Sequence, residues 1–232
     1  MIYLSKLLLN LKSKHTKLTL ENPYEMHRTV TRGISFDKEE YREARCMFRL
    51  EQLPEESFIL VQTRSEPVWR RVEKAFPDFL LAPAQILALT DERLLFPPRQ
   101  HLYFRLRAFP FVHADGKRRA ELDNGKRYLW LKRYSHSNGF CPWQAQVIED
   151  VSYNFTTTSK AEVTIKGCTF TGRLKIYNPI LFRTFLELGI GPAKGFGFGL
   201  MSLSRKKYPK TWEDFLSPYQ PMDVGETDEV SS

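Results

Sequence analysis

Two successive β-α-β-β-α-β runs, alternation in the strands and Asn-Pro helix starts predict an α+β chain of two tandem ferredoxin-like units. The expected organisation is a first unit over 1–109, a second over 110–208 and an acidic tail over 209–232. A hydrophobic content of 42%, with 13% aromatics, is enough to bury a core and excludes a chain disordered throughout.

Residues 2–10, IYLSKLLLN, read as a largely buried strand. Lys12, Lys14, His15 and Lys17 follow in what reads as a basic loop. Asn22-Pro23-Tyr24-Glu25 is a helix start: Asn is a favoured cap, Pro suits the first helical position, and Glu three residues on can reach back. That helix runs to about Gly33. Residues 44–51 and 57–63 read as strands around Pro54-Glu55-Glu56. Over 66–75, Val68, Val72 and Ala75 fall at helical spacing beside Trp69. Pro77, Pro83, Pro97 and Pro98 make 76–100 an irregular loop. Residues 101–109 alternate, with Leu102, Phe104, Leu106 and Ala108 on one face and His101, Tyr103, Arg105, Arg107 and Phe109 on the other. This strand is expected to close the first unit. The second reads as a short strand at 117–122, a helix over 124–137, paired strands at 145–156 and 161–176, a helix over 179–188 and a strand at 199–204.

Charge narrows the partners. Thirty-five Lys and Arg against 27 Asp and Glu give +8, and the six acids of 211–232, with no base among them, leave +14 on residues 1–210. A body that basic implies a polyanionic partner. No apolar run reaches the ~18 residues a membrane span needs, and residues 1–9 carry no signal-cleavage pattern. Cys46, Cys141 and Cys168 are odd in number and far apart, which reads as reduced thiols of a cytoplasmic protein rather than a disulfide framework or zinc knuckle. HxxxH, HExxH, GxSxG and compact carboxylate groups are absent, so a metal site and a nucleophile elbow are not expected.

Four constellations carry chemistry. Tyr24 and His27, three residues apart, share a helix face near an N-terminus that favours phosphate, and His can move protons near neutrality. Arg28 and Arg32 lie beside them. Tyr103, Arg105 and Arg107 form a face suited to a nucleic-acid strand, since Arg grips phosphate and aromatics stack bases. Lys117, Arg118 and Arg119, then Lys126, Arg127, Lys132 and Arg133, put seven bases within 117–133. Last, residues 189–199 hold five glycines and Lys194, able to bring backbone N–H groups to a phosphate, though neither P-loop nor dinucleotide spacing is met. Each also admits a plain reading: a solvated helix or sheet face, or a helix C-cap at Gly189 followed by close packing.

Together these motifs resemble the CasE-type CRISPR RNA-processing endoribonucleases, the repeat-cleaving subunit of the Cascade surveillance complex. The resemblance is carried by Asn22-Pro23-Tyr24-Glu25-Met26-His27-Arg28-Thr29, by Phe104-Arg105-Leu106-Arg107-Ala108, by Gly116-Lys117-Arg118 with Trp130-Leu131 and Gly139-Phe140, and by Gly189 through Leu200; it covers residues 1 to about 204. It implies two ferredoxin-like domains and metal-free cutting of repeat RNA just after a hairpin, without a cofactor. It places the catalytic pair at Tyr24 and His27. It further implies a cleaved product that stays bound, other Cascade subunits as partners (the backbone subunit nearest the crRNA 3′ end among them), and target DNA only indirectly. Family members often carry several bases on the hairpin that enters the RNA groove. Here residues 156–160 hold one, Lys160, which shifts groove recognition toward Arg105, Arg107 and Lys117 to Arg119.

RNA supplies its own nucleophile: the 2′-OH attacks phosphorus, the 5′-oxygen leaves and a 2′,3′-cyclic phosphate results. His27 is the expected proton carrier, as acid to the leaving oxygen in preference to base, with Tyr24 positioning and Arg28 or Lys194 stabilising the phosphorane. The rivals are a non-catalytic RNA-binding subunit of the same architecture and, more distantly, a small-molecule enzyme using the glycine-rich loop as a nucleotide cradle.

Overall fold

The structure, a computed structural model, describes residues 1–54, 56–114, 117–120, 123–157 and 161–220, and of 114, 117 and 118 the backbone alone. Two four-stranded antiparallel sheets form the chain's frame, each with ferredoxin-like strand order, so the α+β expectation holds.

The first sheet contains β1 (Ile2–Leu8), β2 (Met47–Gln52), β3 (Ser57–Thr63) and β4 (Gln85–Leu89), in the order β2-β3-β1-β4. Its apolar residues alternate between two cores: Ile2, Leu4 and Leu60 face one, Leu7, Ile59 and Val61 the other. Between β1 and β2 lie α1 (Lys14–Glu21), α2 (Pro23–Arg32) and α3 (Lys38–Glu43), and α4 (Arg70–Ala75) links β3 to β4. Here the expected basic loop is a helix. Ser13 caps α1 by accepting from the Thr16 N–H, and buried Thr16 and Thr19 satisfy their hydroxyls on Phe79 and Thr16 carbonyls. β4 was expected to be irregular; its flanking prolines hide a five-residue strand paired to β1 from Ile2↔Leu89 to Lys6↔Gln85.

The second sheet runs β10-β5-β9-β8, from β5 (His101–Ala108), β8 (Phe140–Thr156), β9 (Glu162–Ile176) and β10 (Met201–Ser204). The strand at 101–108 therefore opens the second unit instead of closing the first, and β4 closes the first. Of residues 117–122, expected to open the second unit, the described ones form β7 (Lys117–Ala120), which pairs in a two-stranded hairpin with β6 (Phe111–Ala114). Alternation identifies a strand but not its neighbour, and pairing is a long-range choice. α5 (Asn124–Ser137) and α6 (Pro179–Leu188) complete the unit at their expected positions. Their caps, Asp123 and Asn178, accept from Lys126 and Leu181 N–H groups.

The tail expectation is overturned in part. α7 (Trp212–Leu216) and the turn after it insert Trp212, Phe215 and Tyr219 into the main core, where both Trp212 and Phe215 meet Phe58 edge-on with centroids 6.1 Å apart. Burial of three large aromatics outweighs the acidic composition that marked this stretch as a tail. Residues 221–232 lie outside the described residues.

A buried charge cluster joins the sheets. Arg49 on β2 pairs with Glu51, two residues along the strand, and donates to the carbonyls of Arg105 (2.9 Å) and Leu200 (2.8 Å) and to the Ser202 hydroxyl. The guanidinium and carboxylate are 1% and 0% exposed, so each would be costly without the other.

Candidate active site

The site forms where α2 meets the glycine-rich turn. Asn22 caps α2, its side chain accepting from the Tyr24 N–H, with Pro23 at the first position. Glu25 does not close back onto the cap; Arg28 holds its carboxylate, Nη1 lying 3.1 Å from Oε1 and 3.2 Å from Oε2. Met26, Thr29 and Val30 are buried, which fixes the helix roll and turns Tyr24 and His27 toward the second unit.

Tyr24 packs into a small cluster with Val151, Phe155 and Ile165, where the β8–β9 hairpin extends past its sheet, and with Phe196 and Phe198. His27 lies between rings: Tyr41 meets it edge-on at 5.6 Å and Phe196 at 5.7 Å. Across it is Gly195, in a 3-10 turn over Lys194–Phe196; a Cβ there would come within 3.2 Å of the imidazole's Cε1 and Nδ1. A side chain at this position would crowd the ring, so glycine favours this approach. Burial holds the His27 pKa below its usual value, so the resting ring is neutral near pH 7. The Gly195 peptide acts in the opposite sense without completing a hydrogen bond to Nδ1, which is buried without a partner among the described residues.

The turn is held open by backbone geometry. Ala193 and Gly197 flank it in the left-handed region, and Gly189 (φ +64°) ends α6 where a Cβ would strike Met47 Sδ at 2.1 Å. Lys194 is half-buried, its aliphatic stem beside Gly199. Burial, and then the nearby Arg45 charge, pull its pKa down. Of the two cations expected near the reaction, Lys194 therefore flanks the His27 contact on the turn, while Arg28 is one residue along α2 and engaged with Glu25.

The other sequence-derived candidates separate. Arg107, expected on an open RNA-facing strand, is 8% exposed and bonds Thr169, Tyr153 and Glu149, so it is not available as a free phosphate ligand. Arg105 is part-exposed and pairs with Glu51 at 3.1 Å. The polar face of this strand is occupied at both arginines because carboxylates from other strands reach the guanidiniums, a fact that strand alternation cannot reveal. Arg127 of the basic run is also buried, 2.6 Å from Asp150. Arg119 is exposed on β7; Lys117 and Arg118 share that strand, their side chains undescribed, and Lys160 lies outside the described residues. Among the described residues no group of three His, Cys, Asp or Glu could hold a metal, and no helix is long and apolar enough to cross a membrane.

Sequence reasoning missed the ring cluster beside this site: His15 stacked on Phe76 at 3.5 Å, and Arg32 over the rings of Phe36 and Phe76. The i, i+2 spacing of Arg49 and Glu51 among Met47, Phe48 and Leu50 was a readable sign of a buried ion pair.

Comparison with known proteins follows the geometry. Residues 2–205 match the family described as CRISPR associated protein. The chain is 33% identical to the CRISPR-associated endoribonuclease Cse3 of Thermus thermophilus over 219 residues, 88% of this chain and all of that protein. A structure of Thermus thermophilus Cse3 bound to an RNA representing a pre-cleavage complex superposes with TM-score 0.73 at 31% identity, covering 88% of this chain and 98% of that one. Cas6e from Escherichia coli K-12 shares the fold, with TM-score 0.60 at 21% identity over 88% of this chain and 98% of that one.

Proposed function

The chain belongs to the CRISPR associated protein family, and from that premise we infer that it is an endoribonuclease that binds the CRISPR repeat hairpin and cuts precursor crRNA at the hairpin's 3′ base. The observation that carries this reading is the His27 imidazole, neutral and seated against the Gly195 peptide one helical turn from Tyr24. After cutting, the protein stays on its product as a Cascade subunit, beside the backbone subunit nearest the crRNA 3′ end. We place its two units either side of residues 90–100, which link β4 to β5.

The reaction needs no metal in this proposal because the chain supplies the proton carrier. The 2′-OH loses its proton as its oxygen bonds to phosphorus; the P–O5′ bond breaks, and the departing oxygen takes a proton. The products are a 2′,3′-cyclic phosphate and a 5′-hydroxyl. His27 moves one of these protons. At rest it is neutral and ready to accept. To donate to the 5′-oxygen it must first be protonated, which a neighbouring phosphodiester charge favours. Tyr24 orients the 2′-OH or the phosphate, and the α2 N-terminus with Lys194 or Arg28 offsets the phosphorane's extra charge. Arg105, Lys117, Arg118, Arg119 and Lys160 serve as further RNA contacts, whereas Arg107's burial favours an internal role.

The test is single-turnover cleavage of a labelled repeat hairpin in EDTA beside a gel-shift titration. His27→Ala is expected to slow cutting 10²–10⁴-fold, the usual contribution of a positioned proton carrier, with affinity nearly unchanged. Tyr24→Phe loses less. The direction of the pH–rate limb at His27 assigns its role: a rate that climbs with pH makes it the base, one that falls makes it the acid. Full-rate cutting by His27→Ala removes the assignment and favours the non-catalytic RNA-binding reading.

A further inference from the structure

Beside α2, Tyr24, His27 and Arg28 also line a cavity of about 660 Å³, part of whose wall is aromatic and cationic. His15 and Phe76 stack there with centroids 3.5 Å apart and planes 10° from parallel, and His15 Nε2 is held 2.9 Å from the Thr29 hydroxyl. The Arg32 guanidinium lies 5.6 Å from the ring centres of both Phe36 and Phe76, and Arg71 lies 5.8 Å from Phe36. Phe36 itself is 71% exposed. A large ring left in water, framed by two guanidiniums and opening into the cavity of the proposed reacting groups, fits a ligand with a flat face and a phosphate attached.

We propose that this cavity is a subsite for the first unpaired nucleotide beyond the cut, its base stacking on Phe36 and its phosphate facing Arg32 or Arg71. The proposal rests on the endoribonuclease reading. On that reading the bases before the cut are paired in the hairpin stem and unavailable, so the first base free to leave the stack is the one beyond it. Single-stranded RNA is held in this way, by aromatic and guanidinium planes, with little regard for base identity. Grip on the departing strand also draws the scissile phosphate onto α2. The subsite therefore acts on the substrate and not on the product.

The probe is a repeat hairpin extended two nucleotides past the cut, with 2′-deoxyribose at the cut so that it cannot react, compared with a hairpin ending at the cut. Phe36→Ala is expected to weaken the extended RNA roughly five- to twentyfold, within the range for stacking one base, and to leave the shorter RNA unaffected. Phe36→Trp retains affinity. Removing the first downstream base costs wild type the same factor and costs Phe36→Ala nothing more. Equal affinity of Phe36→Ala and wild type for the extended RNA overturns the subsite, as does an equal loss on both RNAs. Wild type that fails to cut the unmodified repeat fails the underlying reading and the subsite with it. An active wild type with an indifferent Phe36→Ala fails the subsite alone.

Discussion

Replacing Gly195 by Ala probes the contact on which the proposed chemistry depends. The added methyl would lie 3.2 Å from two atoms of the His27 ring, closer than an ordinary carbon contact. Restoring van der Waals distance takes a displacement of about 0.2–0.6 Å, and His27, hemmed in by Tyr41 and Phe196, has to make it. Misplacing a catalytic group by about 1 Å costs on the order of 10² in rate, so this shift predicts a roughly three- to fifteenfold loss of single-turnover cleavage. At 1.36 kcal/mol per decade that is about 0.6–1.6 kcal/mol of barrier. Gly→Ala at a position free of positive φ lowers unfolded-state entropy, a gain of ~0.4–1 kcal/mol that offsets the cost of the shift. Rate should therefore fall while stability stays close to that of the wild type. The assay is cleavage of a labelled repeat hairpin with enzyme in excess, paired with a thermal melt and a gel shift. Full-rate cutting by Gly195→Ala would refute the reasoning. So would a rate loss matched by a drop in Tm, which would make the effect structural.

Other outcomes follow from burial and charge. Arg49→Ala leaves the buried Glu51 carboxylate with the part-exposed Arg105 as its remaining partner and should lower stability by up to about 3–5 kcal/mol, or Tm by up to roughly 6–20 °C, while the double change Arg49→Met with Glu51→Leu recovers most of it in a calorimetric melt. Truncation after Tyr208 removes Trp212, Phe215 and Tyr219 from the core and should yield protein that melts far lower or fails to accumulate, since losing even one such side chain costs ~3–5 kcal/mol. Burial lowers the pKa of His27, and of His15 as well, so the unfolded chain takes up protons first as pH falls through 6.5. Stability from these groups is complete above that pH and declines below it. Melts at pH 7.5 and 5.5 should show a smaller acid loss for His27→Ala than for wild type.

The features legible in the sequence were those set within a few residues. Asn22-Pro23 and Asn178-Pro179 mark helix starts because the cap side chain and the fixed proline φ act on the next turn alone. The same short range puts Tyr24 and His27 on one face. Alternation gave β5 its buried face of Leu102, Phe104, Leu106 and Ala108, all borne out. Tertiary structure decided whatever depends on a distant partner. β5 joins β9 and β10 rather than the first sheet, so the first unit ends earlier than its element order implied. Arg107 reads as a surface cation until Glu149, forty-two residues away, neutralises it. An acidic composition concealed the core aromatics of 212–219, because charge is counted along the chain and burial is settled in space. His27 and Gly195 are separated by 168 positions, and no local pattern relates them. A close approach of that kind arises only when the packing of α2, the β8–β9 hairpin and the glycine-rich turn brings a peptide without a side chain against the ring.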